Sequence, residues 1–259
     1  MMRSPRSFAV AVRRANKEIV IREQPWKSTV SAALLKIPFL RGALVLFESM
    51  QNGYQALRFS AEQFEQDLPE SERIPEGSSS AASRAGTVMA LLLFVALPKL
   101  LTWAAGHLTG NPLGMADPRF HILAGFFKLS IFLGLVLWMR RNPEMMRVFQ
   151  YHGAEHKAIA AYESGEALTV ENAQKHSTRH ARCGTTFMVV VVLVSVMIFA
   201  LVLPMVLPPN GGLANVLLSI LISIPLLFPI AGVSYELQRL GARFADNPLA
   251  QVFLAPGFL

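Results

Sequence analysis

Thr185-Thr-Phe-Met-Val-Val-Val-Val-Leu-Val-Ser-Val-Met-Ile-Phe-Ala-Leu-Val-Leu-Pro-Met-Val-Leu207 carries no charged residue from end to end. A hydrocarbon core of roughly 30 Å takes about 20 helical residues to cross, and this run is long enough. A helix on the surface of a soluble domain would keep a polar face, and this stretch has none to offer water. It reads as a membrane span.

Three further runs, 86–106, 120–139 and 213–233, pass the same test. Proline at Pro98, Pro204, Pro225 and Pro229 kinks such helices without forbidding them, because neighbouring helices or water satisfy the freed carbonyls. With 53% hydrophobic and only 16% charged residues, the bilayer is the expected solvent. The expected fold is mainly α: a polytopic membrane protein with four transmembrane helices, a small N-terminal β-hairpin and a cytosolic helical loop rich in His and Cys.

Charge placement gives the orientation. Lys and Arg number 12 before the first span and 7 in the loop 140–184, against Arg119 alone in one opposite loop and none in the turn 208–212. By the positive-inside rule, both termini and the central loop face the cytosol. The net charge of +7 sits largely in these loops, where it pairs with anionic lipid; it does not call for nucleic acid. Residues 1–27 are studded with Arg and Lys and hold no apolar core, so no signal peptide is expected. Cys183 is the only cysteine, which rules out an intrachain disulfide.

The chain divides into a cytosolic or interfacial part (1–64), a linker (65–85) and a four-helix membrane domain (86–259). In the first part, Phe8 to Arg14 and Glu18 to Gln24 flank Ala15, Asn16 and Lys17, predicting a hairpin with a three-residue loop. Residues 37–59 look helical. Arg41 and Glu48 interrupt their apolar run, predicting a helix against the bundle or at the interface instead of a fifth span. Residues 65–85 bring acidic residues, prolines and serines, the composition of a flexible linker.

The chemistry concentrates in the central loop, where four of six histidines and the single cysteine fall within residues 152–183. His152 and His156 stand four apart, on one face of a helix, where two imidazoles reach one metal ion. Glu155 beside them completes His-x-x-Glu-His, the inverted zincin pattern, in which the carboxylate is the general base. His176, His180 and Cys183 follow at i, i+4 and i+7. They share a face if the third span's helix begins early enough, adding imidazole and thiolate suited to zinc or a similar divalent metal. The plainer reading makes these histidines solvated helix-face residues and Cys183 a small core residue. Glu48 and Glu236 are candidate third ligands or partners that orient a histidine. Arg182 would lower the thiol of Cys183 or bind lipid phosphate, and Lys128, deep in the second span, faces a partner or a wet cavity, or snorkels.

The runs Met1-Met-Arg-Ser-Pro-Arg6, Lys36-Ile-Pro-Phe-Leu-Arg-Gly42, Phe149-Gln-Tyr-His-Gly-Ala-Glu-His-Lys157, Leu168-Thr-Val-Glu-Asn172, His180-Ala-Arg-Cys-Gly-Thr185 and Ser234-Tyr-Glu236 resemble the YqhQ-like bacterial membrane proteins. The resemblance covers nearly the whole chain. It implies a multi-pass protein of a bacterial cytoplasmic membrane, of a family without assigned function described as metal-dependent enzymes. It also implies His152, Glu155, His156, His180 and Cys183 as the site. His176 departs from the family pattern, and so do the ends, where the family pattern has a segment before Met-Met-Arg and continues beyond Pro256-Gly257.

Three readings follow. The leading one is a zinc-dependent hydrolase at the cytosolic membrane face, with His152, His156 and His180 or Cys183 as ligands and Glu155 as base, acting on a lipid or a membrane protein. The rival is a non-catalytic adaptor whose structural metal is closed by His152, His156, His180 and Cys183, binding a protein, a ribosome or anionic lipid. A transporter built around Lys128 ranks last, because four spans show no inverted repeat. The oligomeric state stays open.

Overall fold

In the computed structural model, residues 1–4, 6–69, 78–115, 117–180, 183–207 and 212–244 are described, with the side chains of 78–83 and 212 excepted. Among the described residues the protein is mainly helical, with a small three-stranded antiparallel sheet and four helices long and apolar enough to cross a membrane. It divides into two compact units, Met1–Met89 and Ala90–Leu259.

In the first unit, β1 (Met2–Arg3), β2 (Ser7–Arg13) and β3 (Ile19–Pro25) pair in the order β1-β2-β3. The hairpin has the expected three-residue loop. Arg14 N–H donates to the Glu18 carbonyl at 2.9 Å, and Lys17 takes the left-handed conformation (φ 71°) that such a loop needs. The edge strand β1 adds to it; two residues show no alternation for sequence reading to find.

Alternation along β2 sends Phe8 and Val10 to one face, where α1 (Leu40–Gln66) lays Ala56 and Phe59 on them. This helix is longer than the expected 37–59. Pro38 cannot continue a hydrogen-bonded turn, and Phe39 holds φ 66°, uncommon for an aromatic residue, so the helix starts at Leu40. It then runs through Gln66. Its Glu48 carboxylate accepts from Ser28 Oγ (2.6 Å), Thr29 N–H (2.8 Å), Thr29 Oγ1 (3.1 Å) and Val30 N–H (3.3 Å). Burial alone would raise this carboxyl, but those donors outweigh it and hold it below the usual range. Of the expected linker, residues 70–77 lie outside the described residues, and its two ends belong to helices, α1 and α2 (Ser78–Leu91).

The first candidate span, Arg84–Leu108, joins α2, a π-helical turn at Leu92–Ala96 and α3 (Leu97–Leu108). The π turn has a local cause: Pro98 has no N–H for the carbonyl of Phe94 and its ring crowds that carbonyl, so the helix widens just before it. The other spans are α4 (Pro118–Met139), α7 (Gly184–Val206) and most of α8 (Gly212–Arg243). Between α4 and α7 come α5 (Pro143–Glu163) and α6 (Val170–Lys175).

In the second unit, α3 packs on α4 and α8, α4 on α7, and α7 on α8, which closes a ring of four helices. Phe120, Val194, Leu203, Val216 and Ile230 fill its core. Small and hydroxyl residues bring the helices close: Ser195, Ser219, Ser223 and Thr102 are buried, and a Cβ on Gly125 would drive into the Cγ2 methyl of Val196. Lys99 donates to the Ser219 carbonyl (2.8 Å), to Ser219 Oγ (3.2 Å) and to Ser223 Oγ (2.6 Å). Lys128 finds Ser195 Oγ at 2.9 Å and borders a cavity of about 10 Å³, room for a single water. Partner and cavity are both present at Lys128.

Candidate metal centre

α5 is built to carry its histidines in a fixed place. Asn142 caps it by accepting from the N–H groups of Glu144 and Met145, Pro143 follows at the first helical position, and Glu144 puts a negative charge in the first turn. At the other end Gly165 (φ 72°) turns the chain back. Gly165 N–H donates to the Tyr162 carbonyl and Glu166 N–H to the Ala161 carbonyl, the paired bonds of a Schellman stop. His152 and His156 thus sit in mid-helix on one face, ring centroids 4.3 Å apart.

His156 is buried, and its Nδ1 lies 2.6 Å from the Thr178 carbonyl oxygen. A carbonyl can only accept, so Nδ1 carries the proton and Nε2 keeps the lone pair that a metal needs. Gly153 makes that bond reachable. A Cβ there would stand 3.2 Å from Thr178 Cγ2, so the absent side chain lets the 176–180 segment approach α5.

Cys183 arrives from the opposite direction. It is buried at the N-cap of α7, where the helix dipole favours a thiolate. Its Sγ is 3.3 Å from His152 Nε2 and 3.1 Å from Thr185 Oγ1, and its carbonyl accepts from Gln238 Nε2 of α8 at 2.9 Å. Burial would raise the thiol, but hydrogen bonds from His152 and Thr185 outweigh it and bring it down to about 7. The same contact raises His152 above its usual value, against the smaller opposing effect of burial. The ligand atoms of His152, His156 and Cys183 all lie within 4.8 Å of one another. Tetrahedral zinc with N at about 2.0 Å and S at about 2.3 Å sets its ligand atoms roughly 3.3–3.6 Å apart. Small rotamer adjustments close that difference, so the donor set fits a divalent metal.

The other expected residues fall as follows. Glu155 is half-buried on α5, and its negative charge helps to raise His152. His180 stands beside the trio, its ring 5.5 Å from that of His156 and its Nε2 3.7 Å from Glu163 Oε2. His176 Nε2 is 3.3 Å from Glu166 Oε1. The helical face expected for His176, His180 and Cys183 does not form: α6 ends at Lys175 and α7 starts at Gly184, so none of the three lies inside a helix. Cys183 meets His152 through a chain reversal, not through an i, i+7 spacing. Glu48 belongs to the first unit and is engaged by Ser28, Thr29 and Val30. Glu236 is half-buried on α8, which continues beyond the expected end at 233. Arg182 lies outside the described residues.

Sequence reading passed over Thr178, Gly153, Thr185 and Gln238. Gly153, between the two histidines, was the one visible hint; the others act through contacts that the fold alone creates.

A family model described as "Protein of unknown function (DUF1385)" matches residues 37–259. The chain belongs to the DUF1385 family. A relative in this family, the uncharacterized protein YqhQ of Bacillus subtilis (strain 168), is 30% identical over 260 residues, covering 96% of this chain and 78% of that protein. No solved structure matches. The expected YqhQ-like kinship is thereby shown.

Proposed function

We propose that this DUF1385 protein is a metal-dependent hydrolase of the bacterial cytoplasmic membrane, working at the cytosolic face on a lipid or a membrane-protein substrate. The observation that carries the reading is the ligand count: two imidazoles and one thiolate converge, while His180 is turned towards Glu163. Among the described residues no fourth ligand joins these three; three protein ligands with an open fourth place is the catalytic pattern, whereas a structural site takes four.

Zinc, the ion best matched to a Cys-His-His set, would supply Lewis acidity and lower the pKa of a water towards about 7. The chain's own residues do the rest. His156, locked by Thr178, and Cys183, locked by Gln238 and Thr185, hold the site rigid. Glu155 next to His156 is the proposed general base, taking a proton from the attacking water and returning it to the leaving group. The basic excess before the first span and in 140–184 supports a cytosolic setting, because two spans separate these segments and put them on one side.

The test is turnover in vesicles of bacterial lipid holding the reconstituted protein. Wild type should consume a lipid or cleave a co-reconstituted membrane protein. Glu155→Gln should keep its metal and lose turnover, and His152→Ala should lose both. The adaptor reading gains if His180→Ala releases the metal as readily as His152→Ala, since that makes His180 a fourth ligand; equal turnover by Glu155→Gln and wild type rules out the proposed base.

A further inference from the structure

α1 is assembled inside out. The face towards the sheet and the loop 28–30 buries Glu48, Asn52 and Gln63 together with Ala56 and Phe59. The opposite face presents Phe47, Met50, Tyr54, Leu57 and Phe64, with Met50 66% and Leu57 72% exposed. Spacings of 3, 4, 3 and 7 residues place these five in one stripe along the helix. Before the helix, exposed Leu34, Ile37 and Phe39 add to the apolar surface of the same segment.

The helix cannot roll to hide this stripe. Glu48 is tied to Ser28, Thr29 and Val30, and Ala56 and Phe59 are packed on Phe8 and Val10. Rolling would strand a carboxylate, two backbone N–H groups and a small core at once. An apolar stripe of this size on a protein surface marks an interaction.

Chain connectivity and charge indicate what covers it. Residues 67–77 separate α1 from α2, the helix that leads into the first candidate span, and eleven residues reach at most about 40 Å, so the bilayer is within range. The charge of the segment is matched to lipid as a whole: residues 1–69 carry ten Lys and Arg against six Asp and Glu, Lys36 is exposed ahead of the helix, Arg58 on the flank of the stripe is paired with Glu62, and the acid Glu48 is turned inwards. Basic residues beside an apolar helix face are attracted to anionic headgroups.

We propose that α1 lies in the plane of the membrane–water interface, with Phe47, Met50, Tyr54, Leu57 and Phe64 in the outer acyl region. The chain then meets the bilayer through an in-plane helix as well as through its spans. This inference rests on the four helices crossing a bilayer and is independent of the metal chemistry.

The test is photo-crosslinking of the full-length protein in native membranes, with a diazirine-bearing amino acid placed singly at Met50, Leu57, Phe64 and, as control, Gln55. Each replaced side chain is exposed, so folding is not at stake. Intact-mass analysis should show phospholipid adducts at the three stripe positions in excess over Gln55 by about tenfold or more, the partition ratio of a buried Leu side chain. Stripe adducts no more frequent than at Gln55 would overturn the proposal, and so would crosslinks to a second copy or another protein in place of lipid.

Discussion

Replacing Gly153 tests the geometry of the centre without touching a ligand. Two effects oppose each other. In mid-helix, Gly→Ala gains about 1 kcal/mol of helix propensity. The new Cβ stands 3.2 Å from Thr178 Cγ2, so the loop must yield by a few tenths of an ångström, which offsets part of that gain. Gly153→Ala should therefore fold at least as well as wild type and bind metal within about threefold of it, since a shift this small strains but does not break the 2.6 Å bond from His156 to Thr178. Gly153→Val is different. Its branched methyls extend about 1.5 Å further towards Thr178, so the bond from His156 Nδ1 breaks and the imidazole is free to turn. Losing such an orienting partner costs about 10–100-fold in metal affinity, or roughly 1.4–2.8 kcal/mol. Zinc competition against a chromophoric chelator, run on both variants in detergent, gives these ratios directly. Wild-type affinity in Gly153→Val, with the protein folded, would refute the role given to Thr178.

Metal affinity should fall as pH falls, because ligands must shed protons to bind. With Cys183 at about 7, lowering pH from 8 to 6 costs about tenfold through the thiol alone, and Cys183→Ala should lose that component in the same competition assay. Gly125→Val should destabilise the bundle by about 1–3 kcal/mol, because its side chain collides with Val196; a drop in thermal midpoint in detergent checks this. Glu48→Leu should cost about 2–3 kcal/mol by stranding the N–H groups of Thr29 and Val30, seen as faster proteolysis of the N-terminal unit. The contribution of Glu48 is present above the ordinary carboxylate pKa and is lost as pH falls through its lowered folded value.

The spans were legible because apolar length is a local property, written residue by residue in runs such as 185–207. The pairing of His152 with His156 was legible for the same reason, since helical spacing needs no tertiary knowledge. What escaped depends on chain reversals. The approach of Cys183 to His152 depends on where α6 stops and α7 starts, and neither boundary carries a strong cap signal at 176–183. Thr178 and Gln238 act through a backbone carbonyl and a contact 55 residues away in sequence, which no pattern announces. The face of α1 that points inwards was hidden too, because tertiary hydrogen bonds to Glu48 overrode what its apolar residues suggested.

Everything proposed for the site requires that His152, His156 and Cys183 hold one divalent ion. X-ray absorption at the metal edge of the purified protein, together with elemental analysis, tests it most directly. The expected spectrum shows one metal per chain with a single sulfur at about 2.3 Å and two imidazole nitrogens at about 2.0 Å, the sulfur shell vanishing in Cys183→Ala. Protein purified without chelator that holds no stoichiometric metal, or metal with no sulfur in its shell, would contradict it.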